Sequence, residues 1–145
     1  MTLALFFLGT LLSRLAGLLG VDAFDDWRGA LSAGLALMFV FAAVARLHPG
    51  IRASMARMVP PALPRPELLV VIAGILEFAG AAGLWIPGLR TAAAVCLALL
   101  LAALFPANVY SARRRLEFNG KPATPLGRRA VEQIVYVAAC VFVAL

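Results

Sequence analysis

The sequence predicts an all-α fold: a transmembrane helical bundle of five spans, forming a single domain over residues 1–145. Three observations carry this expectation. Of the 145 residues, 63% are hydrophobic and 14% charged, well above the roughly 45–50% apolar content of a soluble domain. The apolar residues gather into five blocks close to the ~20 residues that a helix needs to cross a hydrocarbon core about 30 Å thick. The breaks between these blocks alternate between short turns and longer basic segments, the pattern of connections that lie on opposite sides of a membrane.

The first block runs from Leu3 to Gly20. It lacks a basic leading segment and carries Arg14 in its latter half, which fits a span better than a cleaved signal peptide. A peripheral first helix, leaving four spans, is the alternative. A short turn, Val21–Asp26, leads to the second block, Trp27–Leu47. After the segment from His48 to Arg65 come the third block, Pro66–Ile86, the turn Pro87–Leu89 and the fourth block, Arg90–Ala112. The basic segment Arg113–Pro125 then precedes the fifth block, Leu126–Leu145, which barely reaches across.

Five spans place the N-terminus and both long connections on one side. That side collects Arg46, Arg52, Arg57, Arg65, Arg113, Arg114, Arg115, Lys121, Arg128 and Arg129, while the other holds only Arg28 and Arg90. The basic side faces the cytoplasm by the positive-inside rule, so the C-terminus faces outward. Trp27 and Trp85 then both fall at the outer boundary, where indoles sit. The formal charge of +6 thus reports orientation, and no nucleic-acid partner is expected. Between His48 and Pro60, the helical spacing of Ile51, Met55, Met58 and Val59 predicts a short interfacial helix whose Arg52 and Arg57 meet lipid headgroups. Pro60, Pro61 and Pro64 prevent it from continuing into the third span.

Glu77, near the middle of the third span, is the costliest residue in the chain, since an ionised carboxylate there costs about 3 kcal/mol. Ala73, Gly74, Gly80, Ala81 and Leu84 share its helical face, so it points into the bundle, where a second helix approaches closely. A carboxylate so placed suits proton transfer or ligand binding, and equally an interhelical hydrogen bond or ion pair. Arg14 lies at a similar depth and either pairs with Glu77 or snorkels to the outer surface. In the fourth span, Pro106 removes a helix donor and predicts a kink, with Asn108 just beyond it. Glu132 and Gln133, one turn past Arg128 and Arg129, join Asn108 and Arg46 in an expected inner-leaflet cluster that either clamps helix ends or holds a ligand. Cys96 and Cys140 fall at similar depths, where a buried thiol is usually a small hydrophobe. His48 has no second histidine near it, so no metal site is expected, and no catalytic set, phosphate loop or CxxC motif is present.

Several segments resemble DoxX-like proteins, a family of small helical-bundle proteins in bacterial membranes. They are R-L-A-G from Arg14, W-R-G-A-L-S-A-G-L-A-L-M-F-V-F from Trp27, M-V-P-P-A-L-P from Met58, G-I-L-E-F-A-G-A-A-G-L-W-I-P from Gly74, F-P-A-N-V-Y from Phe105 and K-P-A-T-P-L from Lys121. The resemblance implies a bacterial inner-membrane location, and it matches Glu77 to the family's glutamate, Pro106 and Asn108 to its P-x-N element, and Gln133 to a glutamine of the last span. Where such proteins often read A-H-F at the end of the second span, this chain has Ala45, Arg46 and Leu47, and arginine does not shuttle protons as histidine does. Some relatives are associated with quinone-linked sulfur oxidation, others with redox or membrane-protein assembly. The expectation is an accessory or assembly subunit, or a binder of a hydrophobic ligand, with no activity alone and a membrane-protein partner or second copy as its company. The alternative is a quinone-interacting subunit of a membrane oxidoreductase, with the electron-transfer cofactor held by a partner because haem-type histidine pairs and cysteine clusters are absent from the sequence.

Overall fold

The computed structural model describes residues 1–118 and 121–145. It is helical almost throughout. In order come α1 (Thr2–Leu18), a single 3-10 turn (Asp22–Phe24), α2 (Trp27–Leu47), α3 (Pro49–Ala56), α4 (Pro66–Gly83) and α5 (Arg90–Arg113). A small antiparallel hairpin follows, β1 (Glu117–Phe118) with β2 (Lys121–Pro122), before α6 (Leu126–Ala144). Each predicted apolar block is therefore a helix, with ends within three residues of those expected. α2, α4 and α5 are long and apolar enough to cross a membrane. α1 is shorter, at 17 residues, and α6 carries Arg128, Arg129 and Glu132 in its first two turns.

Local chemistry sets the boundaries. Asp26 caps α2, its carboxylate accepting from the Gly29 amide at 2.7 Å, which satisfies one of the free donors of a helix start. Pro49 and Pro66 occupy the first turns of α3 and α4, where a missing N–H loses nothing. The backbone of Gly20, after α1, takes a φ of 101°, a left-handed conformation that glycine adopts without a Cβ penalty.

Helix α2 is the central element and packs against α1, α4 and α6, while α5 packs against α4 and α6. Leu35 and Phe39 of α2, Leu84 just after α4, Leu97 of α5 and Val143 of α6 are all fully buried and form the heart of the core. Close approach comes from small residues. A Cβ at Gly34 would collide with Thr10 Oγ1 and the Phe6 carbonyl of α1, and one at Gly80 would meet the Leu97 side chain of α5. The opposite faces carry Leu8, Leu11, Leu12 and Leu15 of α1, Ile75 and Phe78 of α4, Leu99 of α5 and Ile134 of α6, all exposed. Apolar side chains in such continuity suit hydrocarbon, where they need no partner.

One end of the molecule is closed by side chains from several helices. Arg28 Nε donates to the Val143 carbonyl at 2.6 Å and its Nη2 to Thr91 Oγ1 at 3.1 Å, while the Thr91 hydroxyl donates to the Ala144 carbonyl at 3.3 Å. A guanidinium here satisfies end carbonyls that α6 cannot pair itself and complements its dipole. Arg28→Ala is expected to weaken this end by about 1 kcal/mol. Faster amide exchange over Val141–Leu145 with little change elsewhere would bear this out, and unchanged exchange there would count against the clamp. At the same end, Trp85 meets Phe24 edge-on with centroids 5.8 Å apart.

Candidate functional site

The buried carboxylate of α4 has found its cation, and that cation is Arg46. Arg46 Nε donates to Glu77 Oε2 and Nη2 to Glu77 Oε1, each at 2.7 Å. This is the forked geometry in which guanidinium and carboxylate bind most strongly. Glu77 is only 3% exposed. The small-residue face of α4 makes the pairing possible, because a Cβ at Gly74, one turn before Glu77, would lie 3.2 Å from Arg46 Cδ. The third nitrogen, Nη1, lies 3.2 Å from the sulfur of Met55. α3 is thereby tied to the pair.

Beside the pair lies a cavity of about 440 Å³, bounded by α3 and the loop after it, α4, α5 and the start of α6. That is the scale of a small-molecule site. Its wall is mainly aliphatic, with Met58, Val59, Leu69, Ala73, Leu104 and Ala107 among its residues. Arg46, Asn108 and Arg129 supply its polar groups. Arg129 Nη1 donates to Asn108 Oδ1 at 2.7 Å, and Arg129 Nε is buried without an acceptor among the described residues. Ile72, Leu76 and Leu63 both line the cavity and are about half exposed, so it opens sideways along the outer face of α4.

The structure brings together some of the residues expected from sequence and separates others. Arg14 does not reach Glu77: its Nη1 donates to the carbonyls of Phe24 and Asp25, and its guanidinium lies over the Trp27 ring, 5.5 Å from the centroid. The pairing with Glu77 is not formed, because the backbone turn after α1 offers carbonyls within range. The expected inner cluster is divided. Arg46 belongs to Glu77, and the largely covered Glu132 accepts from the exposed Arg128 Nε at 3.2 Å. Gln133 is half-buried and lies outside the cavity lining, whereas Asn108 and Arg46 share that wall with Arg129. α5 runs helical through Pro106, which lines the cavity. Cys96 is exposed and Cys140 buried, and both are free thiols. Among the described residues no group of three or more His, Cys, Asp or Glu is placed to hold a metal.

The sequence spacing leaves open what the apolar face of α3 meets and gives Arg129 no part in a site. Met55, Met58 and Val59, read from their spacing as one face of an interfacial helix, line the cavity. Arg129 was counted only as a cytoplasmic charge, although the spacing contained a signal. The buried stripe of Tyr136, Cys140 and Val143, continued backward in steps of three and four, passes through Arg129.

The family model of DUF8561, a domain of unknown function, matches residues 35–144. The chain belongs to the DUF8561 family. The matched region begins within α2 and leaves α1 outside, and every residue lining the cavity lies within it. No curated protein and no solved structure matches the chain.

Proposed function

We propose that this DUF8561 protein is a five-span inner-membrane protein that holds a hydrophobic ligand in the cavity beside the Arg46–Glu77 pair, in a binding or accessory role rather than as an enzyme acting alone. The observation that carries the reading is the cavity itself: aliphatic walls, a side opening along the outer face of α4, and polar groups confined to one region by Arg46, Asn108 and Arg129. Such a site takes up an apolar molecule from the bilayer and orients it by its polar end. Support for five spans comes from the exposed leucines of α1 and the apolar outer face of α6. At 17 residues, α1 is within the range that a bilayer accommodates by local thinning. The cytoplasmic placement of the N-terminus rests on the basic residues of the two long connections. Kinship to DoxX-like proteins remains part of this reading, through Glu77 and the Pro106–Asn108 element. The alternative reading that this kinship suggests is a quinone-interacting subunit of a membrane oxidoreductase.

The test is to extract the protein in mild detergent and identify its bound small molecules by mass spectrometry, with Ala107→Phe as the comparison. The expected result is one recurrent hydrophobe near stoichiometric amount in the native protein and a loss of about tenfold or more in the variant, because an aromatic ring in the cavity displaces it at a cost of a few kcal/mol. A native protein that retains only the bulk lipid mixture would contradict the proposal. Retention of a membrane-protein partner without such a hydrophobe would shift the role to assembly.

A further inference from the structure

We infer that the occupant of this cavity is a single-chain anionic amphiphile whose carboxylate or phosphate head lies on Arg129. The inference rests on the proposed ligand site and adds the charge of its occupant. Arg46 and Arg129 are the charged residues of the lining. Arg46 is neutralised by the forked bond to Glu77. Arg129 has no bonded counter-charge: its acceptor is the neutral amide of Asn108, and no carboxylate lies within ion-pair distance of it among the described residues. The acid nearest along its helix, Glu132, bonds to Arg128 and attracts Arg129 only from beyond ion-pair distance, so one carboxylate serves two arginines. The Arg129 Nε–H is also buried without an acceptor among the described residues. A half-buried guanidinium facing an aliphatic chamber leaves one positive charge uncompensated where solvation is poor, an unstable arrangement until an anion completes it. A carboxylate or phosphate oxygen supplies both the charge and the missing acceptor. The aliphatic wall along α4 and α5 then takes the tail, and a volume of about 440 Å³ admits one chain rather than two.

The probes are doxyl-labelled stearate and its methyl ester, which share a chain and differ in charge. They are added to the full-length protein in phosphatidylcholine nanodiscs at pH 9, where the acid is ionised and arginine remains charged. The immobilised fraction in the electron paramagnetic resonance spectrum reads association. We expect the acid to associate about tenfold or more tightly than the ester, the ratio of a charge-assisted hydrogen bond. Arg129→Gln should reduce this ratio to about threefold or less, the remainder being general attraction to basic surface residues. Arg129→Lys keeps the charge and should keep most of the preference. Arg113→Gln removes an exposed charge from the end of α5 and should leave the ratio unaltered, which separates the cavity from the surface.

Equal association of acid and ester with the native protein would overturn the anionic assignment and leave the hydrophobic site standing. Absence of an immobilised fraction for both probes would overturn the site as well. A ratio that survives Arg129→Gln, falls as far with Arg113→Gln, or is lost with Arg129→Lys would each refute the role given to Arg129. A doxyl-labelled phosphatidylglycerol bound more tightly than the stearate would refute the single chain.

Discussion

Glu77→Leu with Arg46 left in place is expected to destabilise the protein by about 3–5 kcal/mol, the penalty of stranding one partner of a buried ion pair. The carboxylate makes two 2.7 Å bonds to the guanidinium, whose side chain is 14% exposed against 4% for that of Glu77. Without Glu77, Arg46 retains only a weak sulfur acceptor in Met55 among the described residues. Its stem packs against Gly74, so the guanidinium stays on the poorly solvated wall of the cavity. Removing both charges has a different consequence, because well-packed apolar replacements of similar volume are often neutral or better. The double variant Arg46→Met, Glu77→Leu should therefore recover most of the stability lost in the single one, read as the thermal midpoint in detergent. A double variant as unstable as the single one would mean that the pair organises α2, α3 and α4 beyond cancelling charge. Ligand retention in a stable double variant separates roles: binding that persists makes the pair structural, and binding that vanishes makes it part of the site.

The second large effect is expected at the crossing of α1 and α2. Gly34→Val should cost about 3 kcal/mol, the upper range for overpacking, and loosen α1 selectively. The hydrogen of Gly34 is all that the neighbouring helix leaves room for, since a Cβ would overlap Thr10 Oγ1 and the Phe6 carbonyl, two atoms already joined by a 2.8 Å hydrogen bond. Backbone oxygen cannot rotate aside, so α1 itself must move. Its main partner is α2, and the DUF8561 match starts only at residue 35. Amide exchange should accelerate along Leu5–Leu18 while α4 and α5 stay protected. Uniform acceleration across all helices would instead make α1 integral to the core, and unchanged exchange would refute the close crossing.

The helices were readable in the sequence because lipid imposes long apolar blocks, and proline, glycine and charge mark their ends. Glu77 was readable for the same reason: a carboxylate among Gly74, Gly80 and Ala81 must turn inward. Its partner was not, because Arg14 stands at the depth of Glu77 while Arg46 stands at the inner end of its span, and depth counted from span ends fixes neither the azimuth of a side chain nor the offset of two helices. What decided between them was local. Carbonyls of the turn at Phe24 and Asp25 captured Arg14, whereas Gly74 opened a path for Arg46. The orientation of α3 was hidden similarly. An amphipathic helix of eight residues presents the same pattern whether its apolar face meets lipid or protein. Only the placement of α4 and α5 reveals that Met55 floors a cavity. Arg129 was concealed by its position next to Arg128, since two adjacent arginines at a helix start look like one basic surface until the helix is turned about its axis.

The central claim is that the chamber between α4 and α5 holds a particular molecule and not bulk lipid. Photocrosslinking tests this most directly, with a benzophenone amino acid placed at Leu104, which lines the cavity, or at Leu99, 65% exposed on the same helix. Adducts formed in intact cells are identified by mass spectrometry. The account predicts one dominant hydrophobic adduct at position 104 and the general lipid mixture at position 99. The same lipid mixture at both positions would contradict it.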